Sequence, residues 1–207
     1  MIKISLIFSL VFSVHLYAQN TIKDIEGNIY KTIKIDTIEW MIENLKTTRY
    51  NNGDKILAKD SSTMDATNYR WEVDKQQLYS WHAIIDSRGV CPTGWRIPTD
   101  KDFKYTIDFI FKDSNIKFPI GVNNNFIYME NIDITKSLFT NQLSFVGSKT
   151  PNGLSLFKNF YEYFWTKNED YTGFSWIWYF SKNSISHYNF DQKGGLSVRC
   201  VKYNDKF

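Results

Sequence analysis

The chain of 207 residues is long enough for one domain of ordinary size that buries a core without needing a metal. Its formal net charge is only +3, with charges of both signs interspersed and no basic stripe, which argues against nucleic acid as a partner. Aromatic residues make up 17% of the chain, an excess that bears on function.

The first 18 residues have the parts of a secretory signal peptide. Lys3 gives a basic start, residues 4–16 are almost entirely apolar, and Ala18 is a small residue at a cleavage point. A buried N-terminal helix or strand is the alternative. We expect a signal peptide over 1–18 and one mature domain over 19–207, periplasmic or secreted. No cysteine lies near the cut and no other apolar run is long enough to cross a bilayer, so we expect neither a lipid anchor nor a transmembrane segment.

The first half of the mature chain has strand and turn signals. β-branched residues from Ile29 to Ile35, followed by the alternating apolar residues of 38–42, predict a hairpin. The sequence Asn-Asn-Gly-Asp at 51–54 predicts a turn. Residues 54–75 are polar and predict a loop, and Leu78 to Ile85 is interpreted as a strand or a short buried segment.

One helix stands out. Pro98 blocks helix propagation from upstream, Thr99 is a good N-cap, and Asp102 has the spacing of a capping box. The residues that follow at helical spacing form one apolar stripe, made of Phe103, Ile107, Ile110 and Phe111. The pattern predicts a helix from about Thr99 to Lys112.

The remainder favours strands. Residues 113–156 suggest short strands separated by turns, and the run from Trp176 to Phe180 is apolar on both faces, which is typical of a central strand. Residues 197–201 predict a last strand. One helix with many short strands indicates an α+β domain.

Several segments resemble one family, the Fibrobacter succinogenes major paralogous domain. The most distinctive is Cys-Pro-Thr-Gly-Trp-Arg-Ile-Pro-Thr-Asp at 91–100, although Arg96 stands where the family commonly has His. Other similar segments occur in the family's order, over 24–30, 40–45, 50–53, 78–83 and 197–201. The late Trp-Trp-Ser-Ser-Thr stretch of the family is replaced by Phe-Trp-Thr-Lys-Asn at 164–168.

The resemblance implies a C-type-lectin-like fold in an exported protein of the Bacteroidota or a relative. Such a fold brings the N- and C-terminal strands together and leaves long loops on one side. Because the family has no established activity, it implies architecture more than function.

The two cysteines, Cys91 and Cys200, are best interpreted as one disulfide in an exported chain. Closing a loop of roughly 100 residues stabilises a fold by about 4–5 kcal/mol in the chain-entropy model. The alternative is a pair of free thiols with redox or metal duties, which no CxxC motif or neighbouring histidine supports. In the lectin-like fold, the bond would tie the start of the helix to the final strand.

No catalytic or metal-binding pattern is apparent. The mature chain contains only His82 and His187, far apart, and the oxygen-rich run Asn-Glu-Asp at 168–170 lacks the calcium motifs of sugar-binding lectins. We therefore predict a non-enzymatic protein without a cofactor or metal.

The aromatic excess suggests a binding role. Trp165, Trp176, Trp178, Tyr163 and Asn168 are the candidate ligand-binding residues, because flat rings stack on sugars and on partner surfaces. The expected partner is a glycan or a surface protein, recognised through the late loops. The rival hypothesis is a structural or surface-assembly protein whose aromatic residues all lie in the core, as we expect for Trp40, Trp81 and Trp95.

Overall fold

The computed structural model describes residues 20–59, 67–112, 128–130, 143–182 and 184–203. The expected signal peptide over 1–18 and most of the stretch from 113 to 142 lie outside these ranges. Within them, no helix has both the length and the apolar character needed to cross a membrane.

A four-stranded antiparallel sheet joins the two ends of the domain. Its order is β1-β2-β3-β13, formed by Thr21–Lys23, Ile29–Ile35, Ile38–Met41 and Val201–Tyr203. The predicted hairpin is confirmed as β2 and β3, which turn at Asp36 in the left-handed region with φ 51°. The last strand begins at Val201, not at Ser197, because residues 196 and 197 bridge to other parts of the chain.

A small sheet occupies the region predicted to be a loop. Its order is β4-β5-β6, formed by Leu57–Ala58, Tyr69–Val73 and Gln76–Tyr79. The loop prediction for 54–75 was therefore wrong in part, since Tyr69, Trp71 and Val73 alternate into a small core. The chain then enters α1, Trp81–Ile85, which Ser80 caps by accepting a hydrogen bond from the Ala83 amide.

The predicted helix is confirmed as α2, Asp100–Phe111, with Thr99 as N-cap and Lys112 as C-cap. Thr99 and Asp102 form the reciprocal capping box that their spacing indicated. Phe103 and Ile107 are buried on the face that packs against the sheets.

The aromatic part of the chain forms the other four-stranded sheet. Its order is β10-β11-β12-β7, formed by Glu162–Tyr171, Phe174–Phe180, Ser184–Asp191 and Tyr128–Glu130. As predicted, the strand that contains Trp176 is central, between β10 and β12. A two-stranded hairpin, β8 Ser148–Lys149 and β9 Ser155–Leu156, lies between β7 and β10 in the chain.

The aromatic sheet separates two cores. Phe164 and Trp178 pack on the helix side with Phe103, whereas their neighbours Trp165 and Ile177 pack on the other side. The predicted disulfide between Cys91 and Cys200 is present in this second core. It joins the segment before α2 to the segment before β13. The sheets and two helices confirm the α+β class.

Candidate functional site

Three of the five predicted binding residues are core residues. Trp165 and Trp178 are completely buried, and Tyr163 is 4% exposed. Both indole N–H groups have protein partners, because Trp165 donates to the Tyr79 carbonyl at 2.6 Å and Trp178 donates to Asp100 at 2.9 Å. Since these three rings lie within the two hydrophobic cores, they have a packing role in place of the predicted stacking role.

The other two predicted residues meet at the start of α2. Exposed Asn168 accepts a hydrogen bond from the Asp100 amide at 2.8 Å, and partly exposed Trp176 stacks on His187 with ring centroids 4.5 Å apart. His187 Nε2 in turn lies 2.6 Å from Asp100 Oδ1. Both residues lie on strands, so the expectation that late loops present them was wrong.

Asp100 is the electrostatic centre of this cluster. Burial acts to raise its pKa, but the contacts with His187 and with Lys104, whose Nζ lies 2.9 Å from Oδ2, outweigh burial and hold the pKa at about 2. The Asp100 carboxylate is therefore ionised at neutral pH. It anchors the Trp178 indole of β11 and the His187 ring of β12 to the helix start.

The oxygen-rich run at 168–170 does not converge on a metal position. Asp170 accepts a hydrogen bond from Asn189 at 2.8 Å, whereas Glu169 accepts one from Gln192 at 3.1 Å. Each of these two carboxylates thus has a hydrogen-bond partner on β12 or directly after it. Over the described ranges, no group of three or more His, Cys, Asp and Glu side chains is arranged to hold a metal ion.

An open cleft of about 280 Å³ lies beside the disulfide. It is lined in part by Ile85, Trp95 and Lys167, and Asp86 is the acid at its edge. Hydrogen bonds from Arg88 hold the pKa of Asp86 at about 2 against the effect of burial. An acid with so low a pKa is a poor proton donor at neutral pH, so this cleft has the wrong electrostatics for general acid catalysis.

The strongest candidate for a ligand surface is a row of four rings that we call the tyrosine strip: Tyr161, Tyr179, Tyr188 and Phe190. All four are partly exposed. Tyr161 contacts Tyr179 at 5.5 Å, Tyr179 contacts Tyr188 at 5.5 Å, and Tyr188 contacts Phe190 at 6.4 Å, all edge to face. The rings therefore form a continuous surface on the side of the sheet opposite to α2.

The strip rests on a fixed base. Tyr163 stacks on Tyr179 at 5.4 Å from within the core, and Trp165 contacts Phe190 at 6.0 Å. Strand pairing fixes the backbone, with Tyr179 opposite Ser186 and Ile177 opposite Tyr188. The buried residues that sequence reasoning assigned to binding thus support the rings that are exposed.

The three hydroxyl groups of the strip have no hydrogen-bond partner among the described residues. Within the described part of the chain, no hydrogen bond uses the hydroxyl of Tyr161, Tyr179 or Tyr188. Burial of the Tyr188 ring, with a smaller effect of Tyr179, raises the pKa of Tyr188 to about 12, so this phenol stays protonated. Protonated phenols beside apolar ring faces can both donate and accept hydrogen bonds with a ligand.

Sequence reasoning missed the strip because the candidates that it selected were mainly tryptophans, and none of the four strip residues was among them. The available signal was the two-residue spacing of Tyr161 and Tyr163, and of Tyr188 and Phe190, on strands with one face toward the core. The sequence alone does not say which face is covered.

The family model of the Fibrobacter succinogenes major domain matches residues 33–202. The chain belongs to this family. No curated protein and no solved structure matches it.

The segments that resemble the Fibrobacter succinogenes major domain build its interior. Asn44 and Ser197 both bond to the buried Glu162 carboxylate, at 2.9 and 2.6 Å, and Asn44 accepts from buried Arg199 at 3.1 Å. The 91–100 segment supplies the disulfide and the helix cap. The tyrosine strip lies outside these segments, although within the residues 33–202 that the family model matches.

Proposed function

We propose that this protein is an exported, non-catalytic domain with a lectin-like architecture that binds carbohydrate through the tyrosine strip. The single observation that supports this most is the unbroken row of four contacting, partly exposed rings on a rigid sheet. The pairing of β3 with β13, which joins the two ends of the domain, fits the lectin-like arrangement.

Carbohydrate is the ligand class that suits the chemistry of the strip. Sugar rings present apolar C–H faces for stacking and hydroxyl groups at their rims. The strip offers ring faces and three phenols that have no hydrogen-bond partner among the described residues. None of its four members is charged, which disfavours a ligand recognised mainly by ion pairs.

Export is part of the proposal. The disulfide between Cys91 and Cys200 fits an oxidising compartment, where such bonds persist. The basic and apolar residues over 1–18 would act as the signal peptide that directs export. The exported domain could then bind a carbohydrate of the cell envelope or the medium.

The test is retention on immobilised polysaccharides and cell-wall material. Tyr179→Ala and Tyr188→Ala should each weaken retention several-fold, and Tyr179→Phe should have an intermediate effect because it keeps the ring. The matched control is Tyr171→Ala, which removes a 52% exposed tyrosine at the far tip of the same hairpin. Trp176→Ala reports on the opposite face of the sheet.

Equal retention of wild type and both strip variants would refute the strip as the site. Loss of retention in Trp176→Ala alone would move the site to the start of α2. Recovery of envelope proteins and no sugar in a pull-down from the native envelope would favour the rival, a structural or surface-assembly protein. A proline-rich peptide that competes for the strip would likewise replace carbohydrate as the ligand class.

A further inference from the structure

A second surface, next to the strip, has different chemistry. Residues 150–160 form a segment that we call the apolar turn. Three of its large side chains are mostly exposed, with Leu154 at 65%, Phe157 at 56% and Phe160 at 67%. Large apolar side chains exposed together on one short segment are uncommon on a soluble surface and mark a site of interaction.

The turn is held in place in a conformation that keeps these side chains outward. Phe157 and Asn159 both have left-handed backbone conformations, with φ 56° and 69°, which cost energy in residues other than glycine. The Asn159 amide donates to the Phe145 carbonyl at 2.7 Å, and the Tyr161 amide donates to the Phe157 carbonyl at 3.2 Å. A Cβ at Gly147 would collide with the backbone of Leu156 and Lys158, so the turn packs closely against the chain beneath it.

The charges around the turn are mostly positive. Between residues 143 and 161 the chain contains two lysines, Lys149 and Lys158, and no acidic residue. Lys158 forms an ion pair with Asp74 at 2.7 Å, and exposed Lys75 follows Asp74 on the neighbouring β5–β6 turn. Protruding apolar side chains bordered by lysines are the combination that favours the interface of an anionic membrane.

We propose that the apolar turn inserts its exposed side chains into the surface of an anionic lipid bilayer, while the bordering lysines contact the headgroups. Residues 150–160 include no tyrosine, so the turn lacks the phenols of the strip and fits a deformable apolar medium better than a sugar. The contact of Phe157 with Tyr161 at 5.6 Å joins the two surfaces. A domain bound in this way would hold the strip beside carbohydrate at a membrane surface.

The experiment is co-sedimentation of the full mature chain with vesicles of phosphatidylcholine and phosphatidylglycerol, and with vesicles of phosphatidylcholine alone. Binding is expected to be stronger to the anionic vesicles and weaker at about 1 M salt, where the Debye length is only about 3 Å. The double variant Leu154→Ser and Phe160→Ser should bind at least about tenfold more weakly, because it removes two of the three large apolar side chains that insert. Phe157 is left unchanged because of its strained backbone.

The matched control is the double variant Ile25→Ser and Ile29→Ser, which removes two side chains that are 51% and 53% exposed on a different part of the surface. It should bind vesicles like the wild type, as should Tyr179→Ala, so that failure of carbohydrate binding and failure of membrane binding are separate results. Wild-type protein that stays in the supernatant, or equal binding by the turn variant and the control, would overturn the proposal. Self-association abolished by the turn variant, without vesicle binding, would also overturn it.

Discussion

The two faces of the aromatic sheet are both built from large rings, but helix α2 packs on only one of them. On the helix side, Phe103 of α2 stacks on Trp178 at 5.8 Å and contacts Phe164 at 6.2 Å, and all three rings are buried. On the other side, Tyr163 and Trp165 are buried, yet the rings next to them in the tyrosine strip remain partly exposed.

The difference shows how one sheet can serve stability and recognition together. On the helix side, packing against α2 buries Phe164 and Trp178 and leaves Trp176 partly exposed, whereas the other side contains the disulfide and leaves one row of rings at the surface. Exposed rings that rest on buried rings are held in place without a ligand, which lowers the entropic cost of binding.

The largest expected effect is on the disulfide side. Replacing Cys91 and Cys200 by serine together should lower the free energy of unfolding by about 4–5 kcal/mol in the chain-entropy model. Urea unfolding of the variant and of the oxidised and reduced wild type measures this. A decrease in the free energy of unfolding below about 1 kcal/mol would show that the disulfide side, like the helix side, is stabilised by packing.

On the helix side, Phe103→Ala should lower the free energy of unfolding by about 3–5 kcal/mol, because it leaves a cavity among rings that cannot collapse. The matched control is Tyr188→Ala, where a partly exposed ring leaves no closed cavity and the loss should be clearly smaller. Equal losses in urea unfolding would remove the distinction between the two faces.

The Asp100 carboxylate should make the helix side sensitive to acid. Its pKa of about 2 lies below the ordinary 3.8, so the folded state gains stability above about pH 4 and loses it as the pH falls toward 2. The contribution is about 2 kcal/mol by linkage. Thermal unfolding of wild type and Asp100→Asn across this range should show a stability difference that shrinks as the pH falls. A difference that stays constant would contradict the assignment.

The smallest effect should come from the strip hydroxyls. Tyr179→Phe with Tyr188→Phe removes two groups that bond to nothing in the described protein, so the free energy of unfolding should change by less than about 0.5 kcal/mol. Carbohydrate retention should nevertheless fall. A large loss of stability in urea unfolding would mean that these hydroxyls are structural.

Local signals in the sequence predicted the local structure well. The α2 helix follows from Thr99 and Asp102, which cap it through contacts three residues apart, and the hairpin follows from alternation along a single stretch. The disulfide followed from the cysteine count. Helix α1 was missed because its five residues show no period, and it is fixed by Ser80 and by burial of Trp81 against the Thr166 carbonyl.

The position of the candidate site did not follow from the sequence. Aromatic residues of β10 and β11 were selected as candidates, yet Trp165 and Trp178 are buried, on strands whose two faces are both aromatic. Which face is covered depends on where α2 and the terminal sheet pack. This packing depends on contacts between residues far apart in sequence, so the pattern of a single stretch does not predict it.

The central claim, that the strip is the ligand surface, is tested most directly by NMR of the aromatic ring signals during titration with soluble oligosaccharides from the best-retained polysaccharide. We predict that the signals of Tyr161, Tyr179 and Tyr188 shift with one common dissociation constant, while those of buried Trp178 stay in place. Shifts confined to Trp176 and His187, or no ring shifts at saturating ligand, would contradict the account.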